Sequence, residues 1–309
     1  MRISMTCLLL ALALGATVVA GWASDGVGVP AQRGEGLPFE LLGTEVHDLP
    51  DAVRGIDYQI FVSLPASYAE NPQRRYPVVY VTDADYGFAM LSSIGRRMNG
   101  AEPRVQEFIT IGLSYGKGEY PMASRRRDYT PTQRGASDAP ADARHGESLQ
   151  YREYIASVVF PYVEQHYRTL PDRRIFVGHS YGGLLGAQIL LTRPDMFSGY
   201  LLGSPSFWFD RRYLIRHAPA MLDAHADLEA NVYLNVGEFE ELRKGDHRYQ
   251  QEVDMVGDNA AFTALLRSRN YRGLNLRDEV LPGEDHMTVA PRGFTQGLLY
   301  LLPDELSGS

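Results

Sequence analysis

A chain of 309 residues, 44% of them hydrophobic, is long enough to bury one large α/β core. Its formal net charge of -8, with no basic run beyond Arg125-Arg126-Arg127, argues against nucleic acid or an anionic membrane surface as partner. The single cysteine, Cys7, excludes a disulfide framework, so stability has to come from burial.

Residues 1–23 have the layout of a signal peptide. Arg2 supplies the positive start, residues 8–20 form a short apolar run, and Gly21-Trp22-Ala23 offers small residues for cleavage before Ser24. Cleavage after Ala20 is the alternative. The run falls short of the about 20 residues a membrane span needs, and no basic stop-transfer flank follows. The expectation is export to a bacterial periplasm or the medium, with no stable membrane insertion after cleavage. An uncleaved anchor is the rival. Cys7 precedes the apolar core, whereas a lipid-attachment cysteine would end it.

Residues 24–38 are rich in Gly, Pro and small residues and read as a flexible lead-in to a single domain, 39–309. Two strand-like segments between residues 44 and 64 face each other across Leu49-Pro50-Asp51, the second alternating apolar and polar from Ile56 to Leu64. Tyr76-Pro77-Val78-Val79-Tyr80-Val81-Thr82 and Phe108-Ile109-Thr110-Ile111-Gly112-Leu113 are runs expected of strands buried on both faces. Residues 117–147 are polar and rich in Arg, Pro and Gly, as a long lid or pocket-wall loop would be. The triplet at 125–127 within it reads as a solvated loop, with attraction of an anionic substrate as the alternative. A helix is expected over 148–167 despite Pro161. Beyond the next strand, the pattern predicts strand 199–203, helix 214–226, strand 231–236, helix 254–269, strand 274–281 and helix 292–302. Strands alternating with helices imply a mostly parallel sheet covered on both faces.

The decisive stretch is Ile175-Phe176-Val177-Gly178-His179-Ser180-Tyr181-Gly182-Gly183-Leu184-Leu185-Gly186. An apolar strand, a Gly-x-Ser-x-Gly core and a run of small and aliphatic residues give the strand, tight turn and helix of a nucleophile elbow. Gly178 and Gly182 let strand and helix close around Ser180, and the Tyr181 N–H falls at a helix N-terminus, where it can hold an oxyanion. A serine hydroxyl needs a base, and the base needs a group to fix its tautomer. Of eight histidines, His286 alone follows the last predicted strand and precedes the last helix. His179 adjoins Ser180, but neighbours on a turn point apart. The acid is expected from Gly237-Glu238-Phe239-Glu240-Glu241, with Glu240 first and Glu238 its rival. A second oxyanion N–H would come from Ala84 or Asp85 in Thr82-Asp83-Ala84-Asp85-Tyr86-Gly87, where Asp83 braces the loop. No metal-ligand spacing is present, so neither metal nor other cofactor is expected.

These residues resemble the putative esterase family of α/β-hydrolases, which includes esterase D-like enzymes, ferric enterobactin esterase relatives and mycolyltransferases. The resemblance runs over residues 44–302. It includes Val62-Ser63-Leu64-Pro65-Ala66-Ser67-Tyr68, Tyr76-Pro77-Val78-Val79-Tyr80, Arg127-Asp128-Tyr129-Thr130-Pro131, Phe160-Pro161-Tyr162-Val163-Glu164 and Ser204-Pro205-Ser206-Phe207-Trp208. Gly237-x-x-Glu240 and His286 fall where the family carries its acid and base. Many members have Asp-Gly where this chain has Asp83-Ala84, and some siderophore-esterase members work with a serine–histidine pair and little help from an acid.

The resemblance implies an α/β-hydrolase fold and a serine esterase acting on a small-molecule ester: a siderophore ester, a sugar-linked ester or a small generic ester. Trp208 is read as lining the substrate pocket or packing in the core, and Asp85 as a substrate-binding candidate. The rival functions are an acyltransferase on the same residues and a non-catalytic binding protein of the same fold.

Overall fold

The computed structural model describes residues 32–100, 103–135 and 139–304. The expected signal peptide and the first part of the lead-in, up to residue 31, lie outside the described residues. Eight strands form one sheet in the order β1-β2-β4-β3-β5-β6-β7-β8. The first two, β1 (Thr44–Asp48) and β2 (Gln59–Ser63), pair antiparallel at one edge, and β2 is also antiparallel to β4. All remaining pairs are parallel: β3 (Tyr76–Val81), β4 (Ile109–Leu113), β5 (Thr169–His179), β6 (Gly199–Gly203), β7 (Ala230–Gly237) and β8 (Leu274–Leu281).

The continuous apolar strands are explained by two cores, one on each face. Val78, Tyr80, Phe176, Leu202 and Leu234 enter one cluster; Val79, Val81, Ile175, Val177, Leu201 and Tyr233 enter the other. Successive side chains on a strand point to opposite faces, so a strand covered on both sides has no polar face to show. Helices α1 (Ala84–Met98) and α8 (Val289–Leu301) cover the second cluster. The first is covered by α3 (Ser148–Tyr154), α4 (Phe160–His166), α5 (Tyr181–Thr192), α6 (Phe209–Asp223) and α7 (Met255–Ser268). Among the described residues, no helix is long and apolar enough to cross a membrane.

Three local expectations need correction. Helix α1 went unread: the Asp83–Gly87 segment is no open loop, because the helix starts at Ala84. The signal was there, since Ala84, Phe88, Leu91 and Gly95 are buried at helical spacing. Residues 117–147 are not one long loop either, because α2 (Pro121–Tyr129) lies within them, started by a proline whose missing N–H costs nothing in a first turn. The expected helix 148–167 is continuous only through a π turn, Ile155–Val159, in which the Phe160 N–H bonds to the Ile155 carbonyl. That extra residue relieves the clash that the Pro161 ring would make with the carbonyl four residues back.

The chain order leaves the carboxyl ends of β3 and β5 side by side. From β3 the chain moves towards β4 on one side, and from β5 towards β6 on the other. Ligands bind in the crevice at such a switch point in open α/β sheets.

Candidate active site

The ends of β3, β5, β6, β7 and β8 bring the candidate residues to this crevice. The β5 terminus carries Ser180, with φ 60° and ψ -118°, a left-handed conformation that a non-glycine residue adopts only under constraint. The constraint is visible: the Ser180 N–H bonds to the Gly203 carbonyl of β6 (2.9 Å), while its own carbonyl accepts from Leu184 (3.0 Å) and Ser206 (3.1 Å). A Cβ on Gly178 would stand 2.3 Å from the Gly182 carbonyl oxygen, and one on Gly182 would stand 2.2 Å from Thr82 Oγ1. Both glycines are therefore required by contact between strand, elbow and the β3 loop. Tyr181 opens α5, so its N–H sits at the positive end of a buried helix.

Glu240 closes a short 3₁₀ turn after β7, with its carboxylate fully buried. Oε1 accepts from the Ser204 hydroxyl (2.5 Å) and the Gly237 N–H (2.8 Å). Oε2 accepts from His286 Nδ1 (2.7 Å), which leaves the other ring nitrogen, Nε2, as the basic one. Glu238 points elsewhere: it accepts from the Gly283 N–H (2.9 Å) and the Tyr249 hydroxyl (3.3 Å), bracing the loop that carries His286. The start of α8 is fixed by Asp285, whose Oδ1 accepts from the N–H groups of Met287 (2.8 Å) and Thr288 (3.0 Å). This turn explains why α8 begins three residues earlier than the expected position 292.

The Ser180 hydroxyl faces a partner to which the sequence reading gave no role. Ser180 Oγ lies 3.2 Å from Ser206 Oγ, and no hydrogen bond joins it to His286 among the described residues. Catalytic hydrogen bonds commonly tighten only when substrate is bound. The Ser204-Pro205-Ser206 segment thus touches both ends of the constellation, Ser204 at the acid and Ser206 at the nucleophile.

On the β3 side, Asp83 has φ 55°, and its N–H donates to the Tyr129 hydroxyl (3.3 Å). That N–H is occupied, which narrows the second oxyanion donor to Ala84 or Asp85, whose N–H groups begin α1 and have no acceptor within the helix. Ala84 is buried at the crevice wall; Asp85 is exposed, its carboxylate accepting from the Tyr86 N–H (3.0 Å). Trp208 is half-buried, its ring 5.9 Å from that of Tyr181, so it packs on the core while bordering the elbow. Asp210 links this region to the 117–147 segment by accepting from Thr132 Oγ1 (2.8 Å).

The arginine triplet is not a solvated loop. Arg125 packs over the Tyr181 ring at 5.4 Å and pairs through Nε with the buried Asp83 (2.9 Å). Asp83 Oδ1 also accepts from the Tyr115 hydroxyl (2.6 Å), and Oδ2 from the Tyr86 hydroxyl (3.2 Å). Arg127 joins Asp128 (2.9 Å) and Glu119 (2.6 Å), and Arg54 closes the network at Asp128 (2.9 Å). Their charges are spent inside the protein, holding α2 and the β3 loop against the elbow. Adjacency in sequence could reveal the Arg127 partners but not those of Arg125, because Asp83 lies between β3 and α1 and Tyr181 opens α5.

Burial pushes the Asp83 carboxyl above its ordinary range, against the opposing pull of Arg125. Removing that pull by Arg125→Met strands a buried carboxylate, which destabilises by about 3–5 kcal/mol at neutral pH. A carboxyl whose pKa is raised on folding gives stability that is present below its unfolded value and lost as pH rises through the folded one. The loss in urea unfolding should therefore be larger at pH 8 than at pH 5. An equal loss at both would show that Asp83 is not the stranded group.

The family model described as "Putative esterase" matches residues 52–288. The "Ferri-bacillibactin esterase BesA" of Bacillus subtilis is 28% identical over 278 residues, covering 86% of this chain and 92% of that protein. The "Siderophore enterobactin esterase" of Emericella nidulans is 26% identical over 272 residues, covering 79% and 89%. Among solved structures, an "IroE-like serine hydrolase" from Shewanella oneidensis superposes with a TM-score of 0.72 at 24% identity, covering 84% of this chain and 80% of the other.

Proposed function

This chain belongs to the putative esterase family and is a carboxylic ester hydrolase of the serine type; within that class we propose that it hydrolyses siderophore esters after export from the cell. The carrying observation is the buried Glu240–His286 pair set beside the strained Ser180 elbow. The substrate class is supported by two relatives named for siderophore esters, each covered over most of its length. Export is supported by the pattern of residues 1–23. A native protein that begins at Met1 and is found only in the cytoplasm would remove that part of the reading.

In this reading His286 Nε2 takes the proton of Ser180 Oγ as the oxygen attacks the ester carbonyl. Glu240 holds the Nδ1–H and faces the imidazolium that forms. The oxyanion is held by the N–H groups of Tyr181 and Ala84. Collapse expels the alcohol, which takes the proton back from His286, and water then releases the acyl group from Ser180 by the same steps.

The test is kcat/KM for ferri-bacillibactin and enterobactin beside a p-nitrophenyl ester series from acetate to octanoate. The siderophore esters are expected to be better substrates by about 100-fold, a discrimination within reach of a shaped polar pocket. Hydrolysis of the p-nitrophenyl esters alone would leave a serine esterase and sink the siderophore assignment.

A further inference from the structure

The residue before the nucleophile contacts the base. His179 ends β5, is 8% exposed, and its Nε2 lies 3.0 Å from the main-chain carbonyl oxygen of His286. The two imidazole rings stand 4.6 Å apart at an interplanar angle of 36°. His179 and Ser180 do point apart, as expected of neighbours on a turn, and the His179 ring packs against that of His286.

We propose that His179 is a positioning residue for His286, its Nε2–H holding the base's own main-chain carbonyl so that the His286 ring is presented to Ser180. The proposal rests on the reading of His286 as general base. Glu240 holds the side chain of that base from β7, whereas His179 holds its backbone from β5. The strand that ends in the nucleophile thereby also locates the base, and one dipeptide, His179-Ser180, sets the separation between the two groups.

The tautomer follows from the contact. A carbonyl oxygen only accepts, so the proton is on Nε2 and Nδ1 is a lone pair. Among the described residues Nδ1 is buried without a hydrogen-bond partner, on the side of Gly203, where a Cβ would come within 3.3 Å of it. Protonating it would bury an unpaired N–H beside His286. Burial, then His286 and Arg125, hold the His179 pKa down to about 3. The charged groups facing the pair are Glu240 from the turn after β7 and Arg125 from α2. His179 thus stays neutral while His286 becomes cationic, and the base never meets a second cation at ring-contact distance.

The experiment uses the full chain and three variants. His179→Phe keeps the ring and removes the donor; kcat for an activated ester should fall about 10- to 100-fold with KM little changed, the cost expected of a slightly misplaced base. His179→Gln can place an amide N–H near the Nε2 position and should recover most of that loss. His179→Asn places its amide near Nδ1 and should not. The Gln–Asn contrast stands even if the Phe variant folds poorly. In proton NMR, the low-field signal of the His286 Nδ1–H to Glu240 bond should persist in His179→Gln and broaden or shift in His179→Asn. Wild-type kcat in His179→Phe, or recovery by Asn equal to that by Gln, overturns the proposal. With His286→Ala as control, loss of turnover there alongside either result sinks the positioning role alone, whereas full turnover there sinks the reading of the base itself.

Discussion

Ser180→Ala lowers kcat/KM on a good ester by about 10⁶-fold and abolishes labelling by a fluorophosphonate, while thermal unfolding stays close to wild type. The magnitude is that of losing a nucleophile from a cooperating set, where the residual rate comes from oxyanion donors and binding alone. Stability is spared because the hydroxyl makes one neutral hydrogen bond, to Ser206 at 3.2 Å, and such a bond is worth about 1 kcal/mol net. The φ of 60° at this position is set by backbone bonds to Gly203, Leu184 and Ser206, none of which needs the side chain. Alanine suffers the same backbone constraint as serine, so the elbow keeps its shape. Turnover and labelling surviving in the mutant would move the nucleophile elsewhere, whereas a wild-type protein with neither turnover nor labelling would reopen the binding-protein reading of this fold.

The parts of the molecule that were legible in sequence are those whose requirements are local. The elbow could be read because strand, turn and helix lie within a dozen residues and Gly178 is demanded by a contact inside that span, although Gly182 is demanded by Thr82 after β3. His286 could be read because its place between the last strand and the last helix is a matter of order. Helix α1 is equally local, its buried positions Ala84, Phe88, Leu91 and Gly95 falling at helical spacing. What sequence could not disclose is anything decided by non-adjacent strands. Arg125 looked solvated because its partner, Asp83, is 42 residues away, after β3. Ser204 and Ser206 stood in a motif without a role until β6 was seen between β5 and β7, which brings one serine to the acid and the other to the nucleophile. His179 was dismissed on turn geometry alone, and its partner lies 107 residues further on.

Glu240→Gln is expected to lower kcat by about 10³- to 10⁴-fold, against a change within about tenfold for Glu238→Ala. The ranking comes from what each carboxylate touches. Glu240 Oε2 accepts the proton-bearing Nδ1 of His286 at 2.7 Å and is the buried charge facing the imidazolium formed during attack. An amide there keeps the volume but loses the charge, and it can present an N–H to Nδ1, which drives the histidine into the tautomer that cannot accept the serine proton. Glu238 instead accepts from the Gly283 N–H at 2.9 Å, so its loss loosens the loop carrying His286 without altering the charge at the ring. A hydrogen bond to a charged group is worth about 1.5–3 kcal/mol of stability and a tenfold rate change about 1.4, so a loss of loop bracing felt only in part at the ring stays near tenfold. Stability separates the two losses further. The Gln variant leaves the buried Ser204 hydroxyl and Gly237 N–H facing one neutral amide oxygen where a carboxylate stood, so its unfolding midpoint should fall modestly while its rate falls steeply. A folded Glu240→Gln protein with near-normal kcat would mean that Ser180 and His286 act as a pair. A larger loss in Glu238→Ala than in Glu240→Gln would move the acid to Glu238 and require the loop after β7 to rearrange around substrate.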